Sequence, residues 1–394
     1  MQVAARDGLT AAQVTALIEA DNIEVSAGLE LLDSDDTFID DISADFVGGT
    51  IDRGNYRTIH STCRLRISRE LVWGNQRVKP YLNLTDGDGT TARFDLGVFV
   101  LSTPERRAGE TPATFDVDGY DKLEILNHPH GTSYEAAAGD AYLTLVEALI
   151  TGAGESKMLI GQSAVATVLP TTRVWPLVRQ STGDDDGQGD DAPGRSDRPA
   201  GGATTLQIIN ALLEAVGYRS LWVDQDGYYR SEPYAAPADR GAEWTYSADS
   251  STTTVAEDRV SSADYFDTPN RWVFVRNDPA ASTFPSEGDG IYTVLNQSDG
   301  LTSIDARGRT ITRVVPLDAS SQTALVAQGD QIVDNDKRLD KRLTLNVSVN
   351  PLHGHFDVVS VIDAQLGLVA AKYVVTDWSL PLDGSDMTLD MKAV

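Results

Sequence analysis

Residues 93–101, RFDLGVFVL, and residues 114–123, TFDVDGYDKL, decide the fold of this chain. In the first stretch, apolar side chains recur at every second position from Phe94 to Val100. This is the period of a half-buried strand, so we predict one strand over residues 93–103. A polar loop bounded by Pro104 and Pro112 separates it from the second stretch. Short strands joined by turns about every ten residues are typical of a barrel or a sandwich. We therefore predict a β domain around these two stretches.

The residues before this pair of strands continue the same pattern. Positions 61–67 alternate between polar and apolar, and positions 78–84 run into the turn signal TDGDG. Residues 10–13 form a capping box in front of Val14 and Leu17, so a short helix opens the chain. These signals predict that the first β domain covers residues 1–120.

Residues 121–240 have a mixed α/β pattern. One helix is predicted to begin at Asp140, and another at Thr204 or Thr205. Residues 222–230 read strand, turn, strand, which indicates a hairpin. Residues 181–202 are rich in Asp, Gly and Pro, and we interpret them as a mobile acidic loop. A calcium site there would need spaced ligands with a bidentate Glu, which this segment lacks.

The C-terminal part again reads mainly as strands, interrupted by a helical pattern that Asp318 would cap. The strand pair at 97–103 and 114–120 resembles the pair at 372–380 and 387–392, since each has a polar, Pro-containing turn. We therefore predict a second, related β domain. Its segments are 241–315 and 340–394, and a helical insertion at 316–339 separates them.

The net charge of −27 makes the chain a poor candidate for binding nucleic acid through its outer surface, because that affinity comes largely from Lys and Arg. Its excess of Asp over Lys fits either a GC-rich bacterial coding source or a halophilic, archaeal environment. The sequence contains no apolar run of about 18 residues or more, so it predicts no membrane span. The first ten residues lack the apolar core of a secretory signal, so synthesis in the host cytoplasm is expected.

One candidate metal site is the sequence LHGHFD at 352–357. On a strand, His353, His355 and Asp357 would share one face and could converge on a metal. Pro351 and Gly354 favour a turn, in which that alignment is lost, so a surface turn is the preferred interpretation. The metal site stays as the alternative.

Other candidates for chemistry are weaker. His128 and His130 leave a zinc site incomplete and indicate a loop. The sequence GQSAV at 161–165 has Val where a nucleophile elbow requires Gly. Cys63, the only cysteine, is predicted to be buried in a strand. We therefore predict no catalytic, cofactor-binding or metal-binding residue, no cofactor, and a protein that is not an enzyme.

Several segments, taken in order, resemble tailed-phage baseplate or tail-tip hub proteins. This family is also described as the N-terminal hub region of tail-associated lysin-like minor tail proteins. The segments are DRG at 52–54, RLRI at 64–67, FDLGVFV at 94–100, TFDVDGYDKL at 114–123, WVDQDG at 222–227 with EPY at 232–234, TPNRWVFV at 268–275, and VNP at 349–351 with FDVVSV at 356–361.

The resemblance implies an architecture and a role. It implies a mainly β protein with α+β insertions: two related β-barrel domains, a mixed α/β domain and a small helical insertion. It implies a homotrimer whose six barrels match the sixfold tail tube at the tail tip of a virion. Expected partners are the distal tail protein or tail tube, the tape-measure protein, and tail fibre or receptor-binding proteins. The ring would provide a channel through which DNA passes during ejection.

Two other functions remain open at this stage. One is a tail-associated cell-wall hydrolase, which would need a clustered acid pair or a metal site. The other is a distal tail module that binds a cell-surface glycan or receptor. Its candidate stacking residues are tryptophans on predicted strands, although such residues more often pack in cores. They are Trp222, Trp244, Trp272 and Trp378.

Overall fold

The computed structural model describes most of the chain. The described residues are 1–102, 104–107, 113–160, 168–169, 172–177, 202–249, 255–263, 266–276, 285–317, 319, 321–338 and 341–394. The predicted acidic loop at 181–202 lies outside them apart from Gly202, and so does the predicted helix cap Asp318.

The chain divides into two compact units. The first consists of residues 1–236, 349–355 and 378–387, and the second of residues 237–348, 356–377 and 388–394. The fold is mainly β, as the sequence predicts. Within the described residues, every helix is too short or too polar to cross a lipid bilayer.

The first unit opens with helix α1, Ala11–Ile18, whose predicted capping box is present. The hydroxyl of Thr10 accepts a hydrogen bond from the Gln13 backbone amide, and the Gln13 side-chain oxygen accepts one from the Thr10 backbone amide. Strands then follow: β1 Glu24–Leu32, β2 Phe38–Asp41, β3 Phe46–Gly54, β4 Ser61–Ile67, β5 Arg77–Thr85, β6 Thr91–Asp95, β7 Phe99–Leu101, β8 Glu105–Arg107 and β9 Thr114–Asp121.

These strands form a ladder in the order β3-β4-β9-β7-β5-β1-β2, with β6 beside β5 and β8 beside β9. Their pairings are antiparallel. In β4 the predicted alternation is present, since Cys63, Leu65 and Ile67 are buried while Arg64 is exposed. The apolar face of this alternation supplies the core of the ladder.

The stretch that the sequence predicts as one strand at 93–103 is two strands, β6 and β7. The break lies at Gly97, whose φ of +129° is in a region that favours glycine. A Cβ at this position would also lie 3.1 Å from the Phe99 ring. The break lets one strand, β5, pair with β6 at one end and with β7 at the other.

The remainder of the first unit is mixed α/β. Its elements are α2 Leu123–Leu126, β10 Tyr134–Ala136, α3 Tyr142–Gly152, β11 Met158–Ile160, β12 Arg173–Trp175, α4 Thr205–Ala215, β13 Trp222–Val223 and β14 Tyr229–Ser231. Thr204, one of the two predicted caps, begins helix α4 and forms a capping box with Gln207. Asp140 does not cap α3: its carboxylate accepts from the Ala137 amide, and Ala141 is the N-cap.

The second unit contains a larger and a smaller sheet. Its elements are β15 Trp244–Ser247, β16 Val255–Ala263, β17 Arg271–Arg276, β18 Ser286–Glu287, β19 Gly290–Leu295, α5 Ile304–Arg307, β20 Thr312–Leu317, α6 Gln322–Arg338, β21 Lys341–Val347, β22 Val358–Asp363, β23 Leu368–Pro381 and β24 Met387–Ala393. Strands β23 and β24 extend into the first unit at residues 378–381 and 387.

The larger sheet has the order β16-β21-β24-β23, with β22 beside β23 and β15 beside β22. The smaller sheet has the order β18-β19-β17-β20 and pairs only among its own described strands. Helix α6 packs on this smaller sheet and buries Leu325 and Val333 against Trp272 and Phe274. The predicted helical insertion thus covers a sheet formed by residues that precede it.

Candidate functional site

A turn is present at 351–357, and strand β22 begins only at Val358. The prediction of a surface turn was wrong, because His353 and Asp357 are 1% and 0% exposed. His353 and His355 belong to the first unit, whereas Asp357 belongs to the second. Phe356, between the histidines and β22, has a φ of +59°, which is incompatible with a continuous strand. The described residues contain no group of three or more His, Cys, Asp and Glu side chains arranged to hold a metal ion.

The imidazole of His355 is bound on both sides. Its Nδ1 lies 3.2 Å from Asn55 Oδ1, and its Nε2 lies 3.2 Å from the Val223 carbonyl oxygen. The ring of His60 lies 5.4 Å from that of His355, centroid to centroid. These contacts give His355 a role in connecting segments of the first unit.

Among the other sequence candidates, residues 161–165 lie outside the described residues, whereas His130, Cys63, Trp272 and Trp378 have structural surroundings. His130 lies in a loop, with Nδ1 3.2 Å from Thr205 Oγ1. Cys63 is buried in β4, and burial raises the pKa of its thiol well above the usual range. Trp272 is buried under α6 and donates a 2.7 Å hydrogen bond to Asp336. Trp378 is also buried, so neither tryptophan presents a face to a glycan.

The first unit contains a buried ionic cluster that the sequence did not reveal. Its members are Asp36, Arg77, Lys122 and Glu155, and the side chains are at most 9% exposed. The Lys122 Nζ atom lies 2.7 Å from both Asp36 Oδ2 and Glu155 Oε2. Arg77 donates to the same two carboxylates at 2.5 and 2.6 Å. Each carboxylate is therefore shared by Lys122 and Arg77, and Asp36 also lies 3.7 Å from Lys157 Nζ.

Four separate segments position these side chains. Asp36 lies in the turn between β1 and β2, and Arg77 begins β5. Lys122 follows β9, and Glu155 follows α3. Although burial opposes its ionisation, hydrogen bonds from Lys122 and Arg77 hold the pKa of Asp36 below its usual value.

Tyr229 extends the cluster into the α/β part of the unit. Its hydroxyl donates a 2.8 Å hydrogen bond to the Lys122 carbonyl oxygen, and its ring lies 5.1 Å from Lys122 Nζ. The Lys122 ammonium also donates to the Gly227 carbonyl oxygen at 3.1 Å. The cluster thus crosslinks the β ladder to the β13–β14 hairpin. Because its charges already neutralise one another, its geometry supports a structural role.

Two more buried groups lie beside the β4 strand. Asp121 accepts backbone hydrogen bonds from Ser61 at 2.7 Å and from Leu123 at 3.0 Å. Burial raises the pKa of Asp121 to about 7. His60 is 4% exposed, and burial, assisted by the nearby charge of Arg53, lowers its pKa to about 4. Both groups therefore favour their neutral forms in the folded chain.

The exposed surface of the first unit has an apolar edge. Among the described strands, β2 pairs with β1 alone, so one side of its backbone is open. Phe38 and Ile39 of β2 are 56% and 47% exposed. Val47 and Val72 are exposed as well, close in sequence to the ion pairs that Arg69 makes with Asp40 and Asp45. We call Phe38 and Ile39 the β2 edge.

Comparison with known proteins bears on the whole fold. No protein-family model matches the chain, and no curated protein sequence matches it. A tail protein from Neisseria meningitidis MC58 is 13% identical with a TM-score of 0.62, over 93% of this chain and 96% of that chain.

Two prophage tail proteins are also similar in fold over most of their length, at low sequence identity. The 43 kDa tail protein of prophage MuSo2 from Shewanella oneidensis is 11% identical with a TM-score of 0.58, over 93% of this chain and 98% of that one. The prophage tail protein gp18 from Listeria monocytogenes EGD-e is 10% identical with a TM-score of 0.51, over 93% and 94%. The chain therefore shares the fold of phage tail proteins, which confirms the resemblance to tail-tip and baseplate proteins that its strand motifs predicted.

Proposed function

We propose that this protein is a structural component of a tailed virus that forms the tail-tip or baseplate hub. In this role it closes the end of the tail tube and links it to distal tail and receptor-binding components. It also surrounds the channel through which the tape-measure protein and DNA leave the virion. It is a virion protein without a catalytic site.

The observation that carries this proposal is the extent of the fold similarity. The three tail proteins match 93% of this chain and 94–98% of their own lengths, so the likeness is to the complete architecture and not to one β domain. His355, Cys63, Trp272 and Trp378 were candidates for chemistry, and each is hydrogen-bonded or buried within the fold, which agrees with a scaffold role. At this level of sequence identity the likeness concerns the fold, and the role at the tail tip is our inference from it.

The proposal includes the domain division predicted from the sequence. Residues 1–120, and residues 241–315 with 340–394, would be the two related β-barrel domains. Residues 121–240 would be the mixed α/β domain, and residues 316–339 the helical insertion. Three chains would then present six barrels to the sixfold tail tube, and distal tail, tape-measure and fibre proteins would contact this homotrimer.

Two surface properties support the assembly. The β2 edge combines an open strand backbone with exposed Phe38 and Ile39, and we assign it to the contact with a neighbouring copy in the ring. The net charge of −27 would make a channel wall repel DNA phosphates and lower friction during ejection.

The test is the mass of the purified chain by light scattering, with negative-stain imaging, alone and with tail tubes. We expect a ring of three copies, or a single copy that becomes a ring on the tube. Phe38→Asp should reduce ring formation, while Val369→Asp, at a valine that is 89% exposed in β23, should not. A permanent monomer that hydrolyses cell-wall glycan or peptide would overturn the proposal in favour of a tail-associated hydrolase.

A further inference from the structure

The smaller sheet of the second unit has two very different faces. Helix α6 covers one of them, and that face contributes Trp272, Phe274, Tyr292, Val294 and Val315 to the core beneath the helix. A sheet covered on one side alone normally carries polar side chains on its other side. The residue types on the second face therefore indicate whether it is suited to contact water or another apolar surface.

That second face is mainly apolar, although Thr293 beside Val273 and Thr312 beside Arg271 also lie on it. Its residues alternate with those under α6, and the strand registers place them beside one another. We define the open face as Val273, Val275, Ile291, Leu295, Val314 and Pro316. Leu295 and Val314 are 54% and 62% exposed, and the remaining members are half-buried or exposed. Apolar side chains on this face favour contact with another apolar surface, because that contact removes them from water.

Two opposite charges lie at opposite ends of the open face, Arg271 on the inner strand β17 and Glu287 on the edge strand β18. Arg271 is exposed at one end of β17, beside Leu295 in the register. Glu287 is paired with Ile291 at the other end, and its carboxylate accepts hydrogen bonds from the amide and hydroxyl of Thr293. The row of Arg271 and Leu295 and the row of Glu287 and Ile291 are four residues apart along the strands, a distance of about 13 Å.

We propose that the open face binds the open face of a second copy of this chain. A two-fold axis in the contact plane, crossing the centre of the face, places Arg271 of each copy over Glu287 of the other. The apolar residues between them then meet, as the inner faces of two sheets do in a β-sandwich. The distribution of charge makes the face complementary to itself.

The size of the face sets the strength of the contact. Three strands by about 13 Å give on the order of 200 Å² per chain. Stable protein interfaces bury about 800 Å² per partner. The contact is therefore weak and concentration-dependent when it acts alone. Its two-fold symmetry also yields even-numbered association, so measured mass separates it from the proposed trimer.

The first experiment is sedimentation equilibrium of the full chain up to about millimolar concentration, with Val314→Asp and the matched control Val369→Asp. Burying two carboxylates in the apolar centre should weaken association about tenfold or more. Val369→Asp changes an exposed valine outside the open face and should behave as wild type. A wild-type chain without even-numbered association, or equal behaviour of the two variants, would overturn the proposal.

The second experiment tests the register through the charges. Arg271→Glu and Glu287→Arg should each weaken self-association roughly threefold to tenfold, because like charges then meet twice. An equimolar mixture of the two variants should restore wild-type association, since both contacts again join opposite charges. Circular dichroism of each variant verifies the fold. Failure of the mixture to exceed the single variants rejects the two-fold contact, whatever the outcome for the trimer.

Discussion

The ammonium group of Lys122 lies 2.7 Å from Glu155 Oε2, and their side chains are 1% and 5% exposed. Residue 122 follows strand β9 and residue 155 follows helix α3, so the pair joins the β ladder to the mixed α/β part of the first unit. Lys122 binds Asp36 at the same distance. Its removal would leave two buried carboxylates with Arg77 as the remaining fully buried cation.

We expect Lys122→Met to lower the free energy of unfolding by about 3–5 kcal/mol, the usual cost of removing one partner from a buried ion pair. Lys157→Met is the matched control, because Lys157 is 32% exposed and lies 3.7 Å from Asp36. Its cost should stay below about 1 kcal/mol. Urea unfolding at neutral pH measures both. Equal losses in the two variants would show that the cluster does not crosslink the unit.

His60 should make the protein less stable in acid. Its pKa is about 4 in the folded chain and 6.5 in the unfolded one, so between these values only the unfolded chain takes up the proton. The stability contributed by the neutral ring is present above pH 6.5 and falls by roughly 3 kcal/mol as the pH drops to 4. His60→Gln should not show this loss of stability, as measured by urea unfolding between pH 6.5 and pH 4. His128→Gln, at an exposed loop position, should retain it.

Asp121 should act in the opposite direction over almost the same window. Its pKa is about 7 in the folded chain against 3.8 in the unfolded one, so the folded chain holds the proton longer. Stability from this group is present below pH 3.8 and is lost, by up to roughly 4 kcal/mol, as the pH rises through 7. Asp121→Asn should therefore show stability that rises more steeply with pH than wild type. Parallel pH profiles of variant and wild type would contradict this assignment.

Gly119 and Cys63 should be energetically coupled. A Cβ at residue 119 would lie 2.6 Å from Cys63 Sγ, closer than any ordinary contact. Gly119→Ala should cost about 1–3 kcal/mol, the usual cost of overpacking. In a background of Cys63→Ala the new methyl group occupies the space that the sulfur left, so the cost should be smaller. A double-mutant cycle in urea measures the difference. If the effects of the two substitutions on the free energy of unfolding were strictly additive, the clash of the new methyl group would not be with the sulfur.

Local patterns in the sequence predicted local structure well. The alternation at 61–67 corresponds to β4, the predicted capping box at Thr10 begins α1, and Thr204, one of two predicted caps, begins α4. Both signals act within a few residues, where period and capping depend on neighbours along the chain. The strand predicted at 93–103 was wrong in one respect, because alternation continues through Gly97 while the backbone does not.

The candidate sites show the limit of this reasoning. The turn at His353 and His355 was predicted from Pro351 and Gly354, which restrict the backbone locally. The contacts of His355 with Asn55 and Val223 could not be predicted, since they join residues far apart in the chain. The rarity of Lys in this acidic sequence was the one available hint that Lys122 is special, and it named no partner.

The sequence by itself determined that this protein is mainly β, where several of its strands and helices begin, and which family of tail proteins it resembles. Tertiary structure alone decided that Asp36, Arg77, Lys122 and Glu155 meet, and that strands β17–β20 form a sheet of their own with an open apolar face. The physical reason is that periodicity and capping are encoded by near neighbours. Strand pairing and the burial of charges depend on which distant segments the whole fold brings together.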